Sequence, residues 1–151
     1  MRISKVDDQG EALLIQGRIV RGSGDPLRNA ILYAYHTDHS GLYSKKGDEI
    51  GAQKWHGRHH GWCRTDSLGR FEIHSIRPAP YPDNTMPAHI HCAIKESSGR
   101  TYYINDIVFS DDPLVNEEYV DNLTLQGGSG IVELKKNDQD IWMGSIEIEV
   151  Q

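Results

Sequence analysis

The chain has 151 residues, with 16 basic and 22 acidic side chains for a formal net charge of −6. That length suits one domain, and no apolar run approaches the roughly 18 residues of a membrane-crossing helix. The acidic balance leaves no electrostatic footprint for nucleic acid. The first residues, Met1 to Asp8, contain no apolar core of signal-peptide length, and Cys63 and Cys92 are too few for a disulfide scaffold. A reduced, cytoplasmic protein is the expectation.

In chain order, Leu13 to Val20 reads as a first strand, and Gly17 within it suggests a bulge. Ala30 to His36 is rich in β-formers, as are Gly69 to Ile76, Ala88 to Ile94, Tyr102 to Phe109 and Gly130 to Leu134. In Gly144 to Val150, Ile146, Ile148 and Val150 alternate with Glu147 and Glu149, the period of a half-buried strand. Turn residues separate these segments at Gly22 to Pro26, Asp66 to Gly69, Glu96 to Gly99 and Gln126 to Gly128. No stretch holds a 3.6-residue apolar period over three turns. Residues 1–151 therefore read as a single all-β domain, a two-sheet β-sandwich with long connecting loops. Ser44 to Gly61 follows neither period and reads as a surface loop of the kind that often carries function.

Four segments carry groups with chemical potential. His89 and His91 alternate with Ala88, Ile90 and Cys92, so on a strand they share one face about 6.6 Å apart along the chain. Two such imidazoles can share a metal ion, with zinc, copper and iron all suited. They equally fit a polar strand face whose opposite side is core. Tyr81 stands between Pro80 and Pro82, which fix the backbone around it. By itself it reads as a corner-packing residue, because a phenol stays protonated at neutral pH without a cation beside it. Asp38 to Tyr43 reads as a turn with an aromatic at its end, and Thr65 to Phe71 as a turn entering a strand.

The ordered blocks Gly41-Leu42-Tyr43, Thr65 to Phe71, Ile76 to Pro82, Pro87 to His91 and Phe109 to Leu114 resemble the intradiol ring-cleavage dioxygenases. The likeness is to the protocatechuate and catechol dioxygenase catalytic domain and runs from about Gly17 to Leu114. It implies a prealbumin-like sandwich and a mononuclear non-haem iron(III) held by Tyr43, Tyr81, His89 and His91. It implies a small aromatic diol and O2 as substrates and a muconate-type diacid as product. Tyr81 would be the axial tyrosinate that leaves and accepts a substrate proton. A cation answers the objection to ionised tyrosines, because a positive charge favours the phenolate.

The sequence departs from the family in three places. Met86 stands where the family usually carries a substrate-facing arginine, Trp62 where it has a second arginine, and Asp106 where it has a glutamine near the iron. These three are the candidate substrate-binding positions. Arg64, two residues beyond Trp62, is the candidate catalytic replacement for the missing charge, with Arg58 as its rival. The basic and histidine residues of Ser44 to Gly61 fit either a carboxylated diol or plain solvation. A metal-binding or transthyretin-like sandwich without ring-cleaving activity is the competing reading, and exposed sheet edges suit a homo-oligomer.

Overall fold

Alternation along Trp142–Val150 sets the pattern for the whole molecule: Ile148 and Val150 are buried and Glu147 and Glu149 face water. The computed structural model describes residues 1–151. In chain order the elements are β1 (Ala12–Arg21), β2 (Ile31–His36), α1 (Gln53–His56), β3 (His60–Arg64), β4 (Arg70–Ile76) and β5 (His89–Lys95). There follow β6 (Thr101–Tyr103), β7 (Ile107–Phe109), α2 (Glu117–Asp121), β8 (Ile131–Val132), β9 (Lys135–Lys136) and β10 (Trp142–Val150). One sheet has the order β4-β1-β10-β9. The other runs β3-β2-β5-β7-β8, with β6 also pairing β5. The fold is a β-sandwich. No helix is long and apolar enough to cross a membrane.

The core lies between the sheets. Leu13, Ile15 and Ile19 of β1, Phe71 and Ile73 of β4 and Ile148 of β10 meet Leu32 and Ala34 of β2, Ile90, Cys92 and Ile94 of β5 and Phe109 of β7. Each large aliphatic or aromatic side chain buried this way contributes about 1.5–3 kcal/mol. On β2 and β5, inward apolar residues alternate with Tyr33, Tyr35, His89 and His91, which therefore line the outer face of the second sheet. That outer face carries the chemistry.

Three local expectations change. Gly17 is no bulge, for β1 pairs β10 and β4 in unbroken register through it. A Cβ there would stand 2.1 Å from Cζ of Phe71, so the glycine makes room for that ring. The run from Tyr102 to Phe109 is two strands, broken at Ile104-Asn105-Asp106. Asn105 turns its N–H to Gln126 (2.7 Å) and its Nδ2 to the Gly128 carbonyl (3.0 Å), which removes this segment from the ladder. Within Ser44 to Gly61, the single helical turn α1 seats His56 against β2, where the sequence suggested only loop.

Candidate functional site

Two histidines, both on β5, project from the outer face. His89 is 3% exposed, and its Nδ1–H donates to the Pro87 carbonyl at 2.6 Å. His91 Nδ1 lies 2.8 Å from Oδ1 of Asp106. A carbonyl and a carboxylate can only accept, so each Nδ1 carries the proton and each Nε2 is a bare lone pair in the neutral ring. Those two Nε2 atoms face each other at 3.1 Å. Asp112 aims the strand: its Oδ2 accepts the Ala88 N–H at 2.8 Å while Oδ1 takes that of Leu114 at 2.9 Å.

Two tyrosines arrive on loops. The chain leaving β2 turns around Asp38, whose Oδ1 accepts from Ser40 N (2.8 Å), Ser40 Oγ (2.6 Å) and Leu42 N (3.2 Å). Burial raises the Asp38 carboxyl, but these hydrogen bonds outweigh it and bring it down to about 2. Gly41 closes the turn at φ +82, and a Cβ on it would lie 2.1 Å from the Pro80 carbonyl oxygen. The two loops therefore touch directly beside Tyr43 and Tyr81. Thr37 Oγ1 donates to the Ala79 carbonyl at 2.8 Å and binds them a second time.

The result is a closed ring of four donor atoms. Tyr43 Oη is 3.0 Å from Tyr81 Oη and 3.0 Å from His91 Nε2. Tyr81 Oη is 3.3 Å from His89 Nε2, and the two imidazoles complete the circuit. Two bonds of about 2.1 Å meeting at roughly 90–110° put their donor atoms about 3.0–3.4 Å apart, so the ring has the dimensions of a shared ion. Its protons tell the same story. Two hydroxyl hydrogens can fill only two of the ring's four edges, and the opposed imidazole nitrogens repel unless a cation lies between them. Burial, followed by the hydrogen bond with Tyr81, pushes the Tyr43 phenol well above its ordinary value, so ionising it calls for a positive charge at the same place. His89, His91 and Asp106 also form a cluster of potential ligands. Asp106 is not placed to join the ring, because it sits on the Nδ1 side of His91, behind the Nε2 atom.

Comparison with known proteins adds the lineage. A family model described as Dioxygenase matches residues 1–137. The chain belongs to the intradiol dioxygenase family. It is 28% identical over 114 residues to the protocatechuate 3,4-dioxygenase beta chain of Burkholderia cepacia, covering 70% of this chain and 48% of that one. It is 30% identical over 137 residues to catechol 1,2-dioxygenase 2 of Acinetobacter lwoffii, covering 78% and 47%. The chain thus spans about half the length of these relatives. Among solved structures, the dioxygenase domain of a dioxygenase and carbohydrate-binding protein fusion from Streptomyces sp. SirexAA-E aligns with a TM-score of 0.76. That alignment covers 99% of this chain and 86% of that domain at 17% identity, a likeness of fold.

Against this intradiol dioxygenase frame, the remaining sequence candidates separate. Tyr43, Tyr81, His89 and His91 come together. Arg64 does not join them. It pairs with Ile31 in the register that sets His60 opposite Tyr35, four residues or about 13 Å away along β2, and it donates to the Asn29 carbonyl at 3.2 Å. Arg58 binds Asp8, which also takes His59 Nε2 at 3.1 Å. Both guanidinium groups are thus engaged away from the ring. Trp62 lies opposite Tyr33 on the same outer face and is 62% exposed, but on β3, with β2 between it and the histidines of β5. Met86 lines a cavity of about 380 Å³ with Pro87, Leu114, Tyr119 and Leu123, just ahead of His89. The loop's histidines are engaged internally: His56 Nδ1 with Tyr33 Oη at 2.7 Å and His60 Nδ1 with the Gly57 carbonyl at 2.7 Å. The loop's exposed basic groups are Lys45, Lys46 and Lys54.

Sequence reasoning missed a flanking aromatic stack. Tyr35 packs between His56 (ring centroids 3.7 Å, 8° between planes) and His91 (4.5 Å). Burial pushes the Tyr33 phenol up to about 12, so it stays protonated beside His56 Nδ1. The alternation Tyr33-Ala34-Tyr35 on β2 was the available signal. Tyr119 of α2 was also missed: burial, then the charge of Asp106, raises its phenol and places it within electrostatic reach of that carboxylate.

Proposed function

We propose that this chain is a mononuclear non-haem iron(III) dioxygenase that opens a catechol-type diol with O2 to a muconate-type diacid. The observation that carries this is the ring of two bare imidazole nitrogens and two phenol oxygens, all within 3.0–3.3 Å of their neighbours. His89 and His91 would hold the ion through Nε2, and Tyr43 and Tyr81 through their phenolate oxygens. A ferric ion so bound supplies Lewis acidity and a template for the diol oxygens.

The chain's own residues divide the remaining work. Tyr43 is fixed by the Asp38 turn, touches both Tyr81 and His91, and is the tyrosine that stays. Tyr81 sits on a proline-flanked loop and makes the longest edge of the ring, 3.3 Å to His89. It is the group placed to swing away as the diol enters and to take one diol proton on Oη. With Nδ1 protonated toward Pro87 and Asp106 and Nε2 given to the ion, neither histidine would compete for that proton. Membership of the intradiol family and its protocatechuate- and catechol-cleaving relatives supports the diol as substrate class.

A second reading is favoured by Met86 and by the engagement of Arg58 and Arg64 elsewhere: a sandwich that binds the metal without opening rings. One experiment tests both. The purified protein is reconstituted with ferric iron, its visible spectrum and iron content are recorded, and catechol is added under air. A tyrosinate-to-iron band that shifts with catechol, together with O2 uptake and muconate-type ultraviolet absorbance, is the expected result. A shifted band without O2 uptake selects the second reading, and a protein that stays colourless defeats both.

A further inference from the structure

Asp106 stands at the family's glutamine position, and its placement gives it a different part from that of a substrate contact. β7 pairs with β5 in the register His89 to Val108 and Ile90 to Ile107, and Asp106, the residue just before β7 and outside the ladder, reaches His91 through its side chain. Its neighbours hold it there. Asn105 is anchored to Gln126 and Gly128, and Gly130 lies so close that a Cβ on it would be 2.1 Å from the Asp106 carbonyl oxygen. The carboxylate thus meets His91 Nδ1 at 2.8 Å from a braced backbone.

We propose that Asp106 is a positioning residue that fixes His91 as an Nε2 donor and strengthens that nitrogen's hold on ferric iron. The proposal rests on the iron reading above. His89 and His91 differ in the acceptor behind the ring: His89 gives its Nδ1 proton to a neutral carbonyl, whereas His91 gives it to a carboxylate. A charged acceptor draws the Nδ1 proton harder and leaves more electron density on Nε2. Asp106 also completes a charge count. Two phenolates and the Asp106 carboxylate carry three negative charges, with Asp112 also within electrostatic reach of His89, a surplus that favours a ferric over a ferrous ion. With Met86 at the arginine position, and Arg58 and Arg64 bound elsewhere, no side-chain cation offsets that third charge. The two departures from the family, Met86 and Asp106, therefore act in the same direction and favour the oxidised metal.

The test uses the full chain, reconstituted with ferric iron, as wild type, Asp106→Asn and Asp106→Leu. Asp106→Asn keeps the shape and an accepting oxygen but removes the charge, and Asp106→Leu removes both. Three quantities are read: iron(III) retained against a competing chelator, the position of the tyrosinate-to-iron band, and the ferric/ferrous potential. Asp106→Asn is expected to weaken iron(III) retention by about 10- to 100-fold, as loss of such partners typically does. It should also move the band to longer wavelength and raise the potential, because a poorer donor leaves the iron more electron-accepting. Asp106→Leu should go further in the same sense. Iron loss with no movement of the band or potential in the remaining loaded protein would reduce Asp106 to a structural strut and overturn the proposal. So would variants equal to wild type in all three readouts. A wild type that forms no band at all would instead defeat the iron reading itself.

Discussion

Gly41 shows how much of the site depends on one absent methyl group. Its φ of +82 costs an L-residue about 1–2 kcal/mol, and the Pro80 carbonyl oxygen occupies the space a Cβ would need. The turn around Asp38 and the Pro80-Tyr81-Pro82 segment can touch only because the glycine is there, and that contact sets the 3.0 Å between the two phenol oxygens. Gly41→Ala should therefore destabilise the fold by at least about 1–2 kcal/mol. It should also cut bound iron well below one per chain, since Tyr43 can no longer approach Tyr81. Urea unfolding and metal analysis on one sample check both. A variant that unfolds at the wild-type midpoint with full iron would show that the loops meet for another reason.

At the level of elements, what matters is how β5 is aimed. The sequence shows plainly that His89 and His91 share a face, because a strand has only two faces and Ile90, Cys92 and Ile94 claim the buried one. The two sheets, the alternation of β10 and the meeting of Tyr43, Tyr81, His89 and His91 were legible for the same kind of reason: each rests on a short period or an ordered motif. The position of Arg64 was not legible. Same-face logic relates it correctly to Trp62 but says nothing about distance from the site, which the pairing of β3 with β2 decides. The break at Asn105 and Asp106 and the seating of His56 on Tyr35 were equally hidden, because both depend on partners 20 or more residues away. Asp112 marks the boundary between the two cases. The sequence shows it within a motif, and the structure gives its purpose, capping the Ala88 N–H where β5 begins. Asp112→Ala leaves the buried Ala88 N–H unpaired, a loss of about 1–3 kcal/mol, and frees the half-buried Leu114 N–H, which water can serve at smaller cost. Because the released backbone leads straight into His89, iron occupancy should fall along with the urea midpoint. Full occupancy in a destabilised variant would mean that β5 keeps its aim without the cap.

Across the whole molecule, the two sheets are tied together beneath the site by a buried imidazole. His36 ends β2 on its inner face, donates Nδ1–H to the Thr37 carbonyl at 2.6 Å and accepts from Ser75 Oγ of β4 at 2.6 Å. His59 stacks on it at 5.3 Å, with His89 and Asp38 also within electrostatic reach. Burial, opposed by the Thr37 carbonyl, lowers His36 from 6.5 to about 4. A neutral ring in the folded chain and a titrating one in the unfolded chain fix the sign. Between pH 4 and 6.5 the unfolded state binds the extra proton, so stability rises with pH across that window and is complete above it. The size is on the order of 3 kcal/mol for His36. His59 and His89, both lowered chiefly by burial, add to it with the same sign. Asp38 acts in a lower window: the stability from its depressed carboxyl is present above its usual value of 3.8 and is lost as pH falls toward about 2. Urea unfolding at intervals from pH 4 to 7.5 should thus give a free energy that climbs to about pH 6.5 and then levels. His36→Gln cannot titrate yet can still bond to Ser75, so it should climb less steeply whatever its absolute stability. Parallel curves for the two proteins would take the pH dependence away from His36 and assign it to the other buried histidines.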